Sequence, residues 1–269
     1  MNKRILLPAL MLPLLILYWS CEETSKKEAV IFFDLSKSLD TSSVHLQAQK
    51  LKELIAKLNQ DIKVTIYPVS EFLFPEPIYT YSPLPTSEFS TDSVNITAKE
   101  FHNKQADSVF RLIKKKSKTK GDLKSEGYLS QSCLINTLNA SHSILKNKTR
   151  DTISLNVYIF SDMIEDCNAK NTAVMSMCDI ENADEERLLL RIENNRMLDF
   201  NLQKIIKNRI SVITTSSVLE KIKCIDESKR IKIWKAIFKR VGYNENVFDS
   251  IYYGIELPEK IIWDKPHVQ

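Results

Sequence analysis

The chain has 269 residues, 43% hydrophobic and 27% charged, a composition that excludes a disordered chain and fits one large or two small folded domains. Four glycines leave little supply for phosphate-cradling loops, and neither G-x-G-x-x-G nor G-x-x-x-x-G-K-[ST] occurs. The net charge of +4, halved when Lys3 and Arg4 of the leader are set aside, gives nucleic acid no footing as a partner.

The first element is a leader. Asn2, Lys3 and Arg4 precede an apolar run over 5–17, too short to span a bilayer comfortably but of the length a secretory signal needs. The run ends at Ser20-Cys21 and the chain turns polar at Glu22. A small residue before a lone Cys at this point resembles a bacterial lipoprotein cleavage site. That resemblance implies that Cys21 becomes the lipid-bearing first residue of a membrane-anchored protein of the cell envelope. Tyr18-Trp19 depart from the pattern, which prefers an aliphatic and then a small residue, so ordinary signal cleavage, an uncleaved anchor and a buried helix stand as alternatives. Glu22-Glu23 resemble the surface-export signals of some Gram-negative lipoproteins, and both periplasmic and surface-facing placements stay open.

After a polar tether over 22–28, residues 29–34 form a continuous apolar run ending in a carboxylate, as in a strand buried on both faces. Val44, Leu51, Leu54, Ile55 and Leu58 recur at helical spacing behind a Ser42/Ser43 cap. Ile62, Val64 and Ile66 alternate as a second strand that Pro68 ends. Residues 70–97, rich in Pro, Ser and Thr, read as a long excursion with room for a short edge strand. Phe101, Val109, Leu112 and Ile113 predict a helix finishing in the basic run 114–120, read as a solvated helix end that the macrodipole favours. A helix over 132–147, a strand over 153–160 and a polar insertion over 165–181 come next. Helical periodicity then covers 183–207, and a strand covers 210–214. Ile231, Trp234, Ile237, Phe238 and Val241 mark an amphipathic helix, core at Trp234 and Phe238, with Gly242 as C-cap. A last strand or extended segment falls within 248–257. Alternating strands and helices predict an α/β domain over 29–257, Rossmann-like and doubly wound, with a mostly parallel sheet and helices on both faces. Residues 258–269 form a tail.

Four cysteines follow the leader: Cys133, Cys167, Cys178 and Cys224. An oxidising envelope permits two disulfides in three connectivities, with Cys167–Cys178 the favoured short loop and free buried thiols the alternative. The spacing is no zinc pattern, and His45, His102, His142 and His267 are scattered without a visible partner.

Two strands end in Asp at the carboxyl edge. The first reads Asp34-Leu35-Ser36-Lys37-Ser38, a D-x-S-x-S arrangement, and the second Ile159-Phe160-Ser161-Asp162. Carboxylate and hydroxyl oxygens converging at a sheet edge are hard ligands, suited to Mg²⁺ and similar ions. Here the sequence resembles the von Willebrand factor A family, whose metal-ion-dependent adhesion site combines D-x-S-x-S, a Thr on a second loop and an Asp on a third. The resemblance spans about 29–216. It implies metal ligation by Asp34, Ser36, Ser38 and Asp162, with Ser132 in the Thr position and Ser130 its rival. It further implies Mg²⁺, Mn²⁺ or Ca²⁺ as the ion and a partner protein that offers an acidic side chain to it. The competing reading has Asp34, Ser36 and Ser38 capping the following helix without metal. Glu165 and Asp166, just beyond Asp162, read as an exposed acidic loop or the rim of the site.

No enzyme is expected. A phosphatase of the haloacid dehalogenase type would also place an Asp after the first strand, but its D-x-D needs a second acid where Ser36 stands, and no G-x-S-x-G elbow occurs. The third alternative is an envelope scaffold that keeps the fold without metal.

Overall fold

The computed structural model describes residues 27–36, 39, 41–58, 61–69, 75–83, 92–118, 133–148, 154–163, 166–167, 175–176, 190, 210–213, 227–241 and 251–252. Their elements are β1 (Lys27–Phe33), α1 (Thr41–Lys57), β2 (Ile62–Pro68), β3 (Tyr79–Tyr81), α2 (Asp92–Lys118), α3 (Leu134–Lys148) and β4 (Ser154–Phe160), followed by β5 (Asp166–Cys167), β6 (Met175–Ser176), β7 (Ile210–Ile213), α4 (Glu227–Val241) and β8 (Ile251–Tyr252). The main sheet runs β3-β2-β1-β4-β7-β8. All neighbours pair in parallel except β3, which lies antiparallel on β2 at the edge. The protein is therefore an α/β fold built on a mostly parallel sheet.

Helices cover both faces, which is why the central strands carry unbroken apolar runs. Ala29, Ile31 and Phe33 of β1 face Val44, Leu51 and Ile55 of α1 and Val109 and Ile113 of α2. Val30 and Phe32 face Leu134 and Leu138 of α3 and Trp234 and Phe238 of α4. Ala29 through Phe33 are all 0% exposed, as a parallel strand covered on two sides requires. α3 is largely buried over 134–142, where two hydroxyls turn back to the chain one turn earlier: Thr137 Oγ1 donates to Cys133 O at 3.0 Å and Ser141 Oγ to Thr137 O at 2.7 Å.

Several boundaries differ from expectation. β1 opens at Lys27 and takes in the last two residues of the stretch read as a tether. Glu28 is buried there, accepting from Thr65 Oγ1 at 3.1 Å and lying 3.7 Å from Lys63 Nζ. α1 begins at Thr41, so Ser42 and Ser43 lie inside its first turn; Thr and Ser are all competent caps, and the sequence alone does not choose among them. α2 begins at Asp92, inside the expected excursion, because a helix propagates cheaply outward from a packed stretch such as 102–113. The polar insertion forms the small antiparallel pair β5–β6. The helical periodicity over 183–207 falls outside the described residues except at Leu190, and Gly242 and His267 fall outside them. Among the described residues no helix is long and apolar enough to cross a membrane.

His102 does have partners, supplied by distant elements: Nε2 lies 2.5 Å from Ile55 O and Nδ1 3.4 Å from Tyr81 Oη. Burial, then the neighbouring Tyr79, pushes the Tyr81 phenol well above its ordinary value, and burial followed by Glu28 raises that of Tyr67. A phenol harder to ionise when folded than unfolded stabilises the fold fully below the unfolded pKa of about 10 and loses that contribution as pH rises beyond it. Tyr81→Phe is therefore expected to lose less stability than the parent between about pH 8 and about pH 11. Urea midpoints at the two pH values check this, and parallel losses in both proteins would refute it.

Candidate functional site

β1 and β4 lie side by side with Phe33 level with Phe160. From β1 the chain crosses to β2 on one side; β4 and β7 follow on the other. The junction between the carboxyl ends of β1 and β4 is thus the switch point, the place where open α/β sheets bind ligands. The backbone ladder continues one step past the strands: Asp34 N–H donates to Phe160 O at 2.9 Å and Ser161 N–H to Ile213 O at 3.2 Å. Asp34 and Ser161 therefore leave the sheet with their backbones still pinned. Asp34, Ser161 and Asp162 are each 0% exposed.

The Asp34 carboxylate ties two loops together. Oδ1 accepts the Ser36 N–H at 2.8 Å, and Oδ2 accepts the Ser161 hydroxyl at 2.7 Å. Ser161 Oγ in turn accepts the Met163 N–H at 3.0 Å. The first bond is a turn closed within the Asp34 loop, and α1 starts only at Thr41, so neither of these two bonds is a cap on that helix. Each carboxylate oxygen carries two lone pairs, so these two bonds do not by themselves exhaust the group.

The third loop is held from the other side by α4. The Arg230 guanidinium donates from Nη1 to Asp162 O, and Trp234 Nε1 donates to Met163 O at 2.7 Å. Arg230 and Trp234 are one helical turn apart and present their donors along one face. Between them Met163 takes a positive φ of 60°, a left-handed conformation that costs a bulky residue about 1–2 kcal/mol. Both its backbone polar groups are engaged, N–H by Ser161 and C=O by Trp234, which offsets that cost. Arg230 is itself 0% exposed and brings a buried positive charge to an edge holding two buried acids.

Of the expected ligands, the structure brings Asp34, Ser36 and Asp162 to one edge. Ser38, Ser132, Ser130 and Glu165 lie outside the described residues, as does Cys21, and Asp166 opens β5. Cys133, the residue after Ser132, is buried and disulfide-bonded. Of the four cysteines after the leader, a Cys167–Cys178 bridge would leave Cys224 as the partner of Cys133. Thr137 is no substitute for Ser132, since its hydroxyl is turned back to Cys133 O. Among the described residues no group of three or more His, Cys, Asp or Glu side chains could hold a metal ion. The donor set at this edge is two carboxylates with hydroxyls, the hard and weakly charged set that Mg²⁺ accepts while keeping waters or a partner's carboxylate. Sequence reasoning missed Arg230 and the direct Ser161–Asp34 bond. The signal for Arg230 was its place one turn before Trp234 on the apolar stripe.

No protein-family model matches the chain, and no curated protein matches it. Among solved structures the chain is similar to the human COPII-coat protein Sec24c, at 13% identity and a TM-score of 0.37, over 81% of this chain and 28% of that one. The chain thus spans less than a third of that protein's length. A likeness of this degree carries no argument about fold or function.

Proposed function

We propose that the protein is an exported, lipid-anchored binding module of the von Willebrand factor A type, which holds a divalent cation at the β1/β4 edge and uses it to bind an acidic side chain of a partner protein. The observation that carries this reading is the burial of Asp34 and Asp162, both 0% exposed, at the carboxyl ends of adjacent parallel strands. Two carboxylates removed from water at one sheet edge repel each other unless a cation or donors compensate them. Asp34, Ser36 and Asp162 would hold the ion, with Ser38 and Ser132 as the further hydroxyl ligands that the family resemblance implies. Bound there, the ion supplies an electrophilic position for a carboxylate; it needs no nucleophile or general acid from the chain. Isothermal titration of Mg²⁺ and Mn²⁺ into the mature chain tests this. Saturable binding is expected in the parent and lost in Asp34→Ala that retains its circular dichroism; a folded parent that takes up neither ion defeats the proposal.

A second reading has its own observation. Arg230 brings a guanidinium to the same edge, and a built-in cation would let the acids stay buried without metal. On that reading the protein is an envelope scaffold. The phosphatase alternative gains nothing comparable.

A further inference from the structure

The third loop meets α4 at two successive carbonyls. Arg230 Nη1 donates to Asp162 O, and Trp234 Nε1, one helical turn further on, donates to Met163 O at 2.7 Å. An extended chain points successive carbonyls to opposite sides, so a single helix face reaches both only where the chain turns between them. Met163 makes that turn, with its φ of 60°. Glycine enters the left-handed region freely, whereas a methionine there crowds its Cβ against the following carbonyl oxygen. Such a conformation persists only while its surroundings hold it.

The Met163 side chain lines a small pocket with Leu138, Ile159, Val212 and Phe238, which keeps about 10 Å³ of free space among apolar side chains and so seats no ligand. Apolar contacts of this kind are non-directional. The directional holds on the turn are the indole N–H at Met163 O and the Ser161 hydroxyl oxygen at Met163 N–H, 3.0 Å away. Ser161 carries the hold onward, because the same hydroxyl donates its one proton to Asp34 Oδ2 at 2.7 Å. A hydroxyl that accepts on one side has its proton directed to the other, and bonds in such a chain polarise one another. From α4 to the exit of β1 the connection thus runs through Met163 and Ser161.

We infer that Trp234 is a positioning residue for the Asp34–Asp162 edge: by holding Met163 in the left-handed turn, its indole N–H keeps the Ser161 hydroxyl on Asp34 and the third loop in the form that takes up the ion. The inference rests on the proposed function, to which it adds a control point on α4, away from every expected ligand. The bland alternative is a core tryptophan, packed on Phe238 with ring centroids 5.8 Å apart, whose N–H finds the nearest carbonyl only because a buried indole needs an acceptor. On that alternative, removing the N–H costs stability and leaves ion binding alone. The two readings also differ in what a glycine at position 163 does, since glycine takes the turn without being held.

The test uses the full mature chain in detergent with two readouts, hydrogen exchange at the Met163 amide in EDTA and isothermal titration with Mg²⁺. Trp234→Phe keeps an aromatic ring and removes the donor. Its Met163 amide is expected to exchange about tenfold faster and its Mg²⁺ affinity to fall about tenfold, the factor that one net hydrogen bond represents. Adding Met163→Gly should bring Mg²⁺ affinity back to within about twofold of the parent while lowering the urea midpoint further, because the glycine frees the turn and empties the pocket. Adding Met163→Ala instead, which empties the pocket but keeps the cost of the turn, should restore nothing. Equal Mg²⁺ affinity in parent and Trp234→Phe, or no recovery with the glycine, overturns the inference and leaves the metal site standing. A parent that takes up no Mg²⁺ defeats the proposed function; faster Met163 exchange in Trp234→Phe then still upholds the positioning of the edge, and unchanged exchange overturns it. Should Trp234→Phe not fold, Ser161→Ala cuts the same connection at its other end, and an unchanged Met163 exchange rate there overturns the inference equally.

Discussion

Arg230→Ala is expected to lower the unfolding free energy by about 3–5 kcal/mol, the range for deleting one member of a buried charged cluster, against a total of about 5–15 kcal/mol for a domain. The side chain is wholly buried, so its removal opens a void as well as deleting a donor to Asp162 O. An electrostatic part adds to this, because the guanidinium is a buried positive charge at the edge that also holds Asp34 and Asp162. Arg230→Lys keeps the charge and loses the planar fork that reaches a carbonyl while packing flat, so an intermediate loss of about 1–2 kcal/mol is expected. Urea unfolding with unchanged m-value measures both. An Arg230→Ala loss under about 1 kcal/mol would show that the guanidinium neither clamps the third loop nor offsets the acids.

How much of this was written locally depends on the element. β1 and β4 were legible because a strand covered on both faces must be apolar without alternation, and each run ends at a carboxylate that marks the strand's exit. That is how Asp34 and Asp162 could be placed on one edge from sequence. Arg230 was not legible in the same way, because an arginine in an amphipathic helix ordinarily faces water. Only its spacing to Trp234 hinted otherwise, and its acceptor, Asp162 O, lies 68 residues away. His102 lies on the buried stripe of α2 with Ala106, Val109 and Ile113, but its partners come from α1 and β3, which no local pattern reveals. Helix starts were the least legible, because Thr41, Ser42 and Ser43 offer equivalent caps and packing decides among them.

Asp162→Asn separates the metal-bound reading from the metal-free one through stability. Asn keeps the shape of the side chain and removes one of two like charges buried at neighbouring strand ends. If a cation is the natural compensation, the variant in EDTA should be as stable as the parent or more so, by about 1 kcal/mol, because it relieves part of the repulsion between the two buried acids. With Mg²⁺ at about a hundred times the dissociation constant, the parent alone should gain about 2.7 kcal/mol by mass action. In a chain of this size that corresponds to a rise in Tm of about 5–10 °C, read by thermal unfolding. The order of stability of the two proteins should thus invert between EDTA and Mg²⁺. If Arg230 is instead the permanent counter-charge, Asp162→Asn removes a negative charge that balances the buried guanidinium at that edge. The variant is then the less stable protein in both conditions, and Mg²⁺ shifts neither Tm. That second pattern would retire the metal site and leave the scaffold reading in its place.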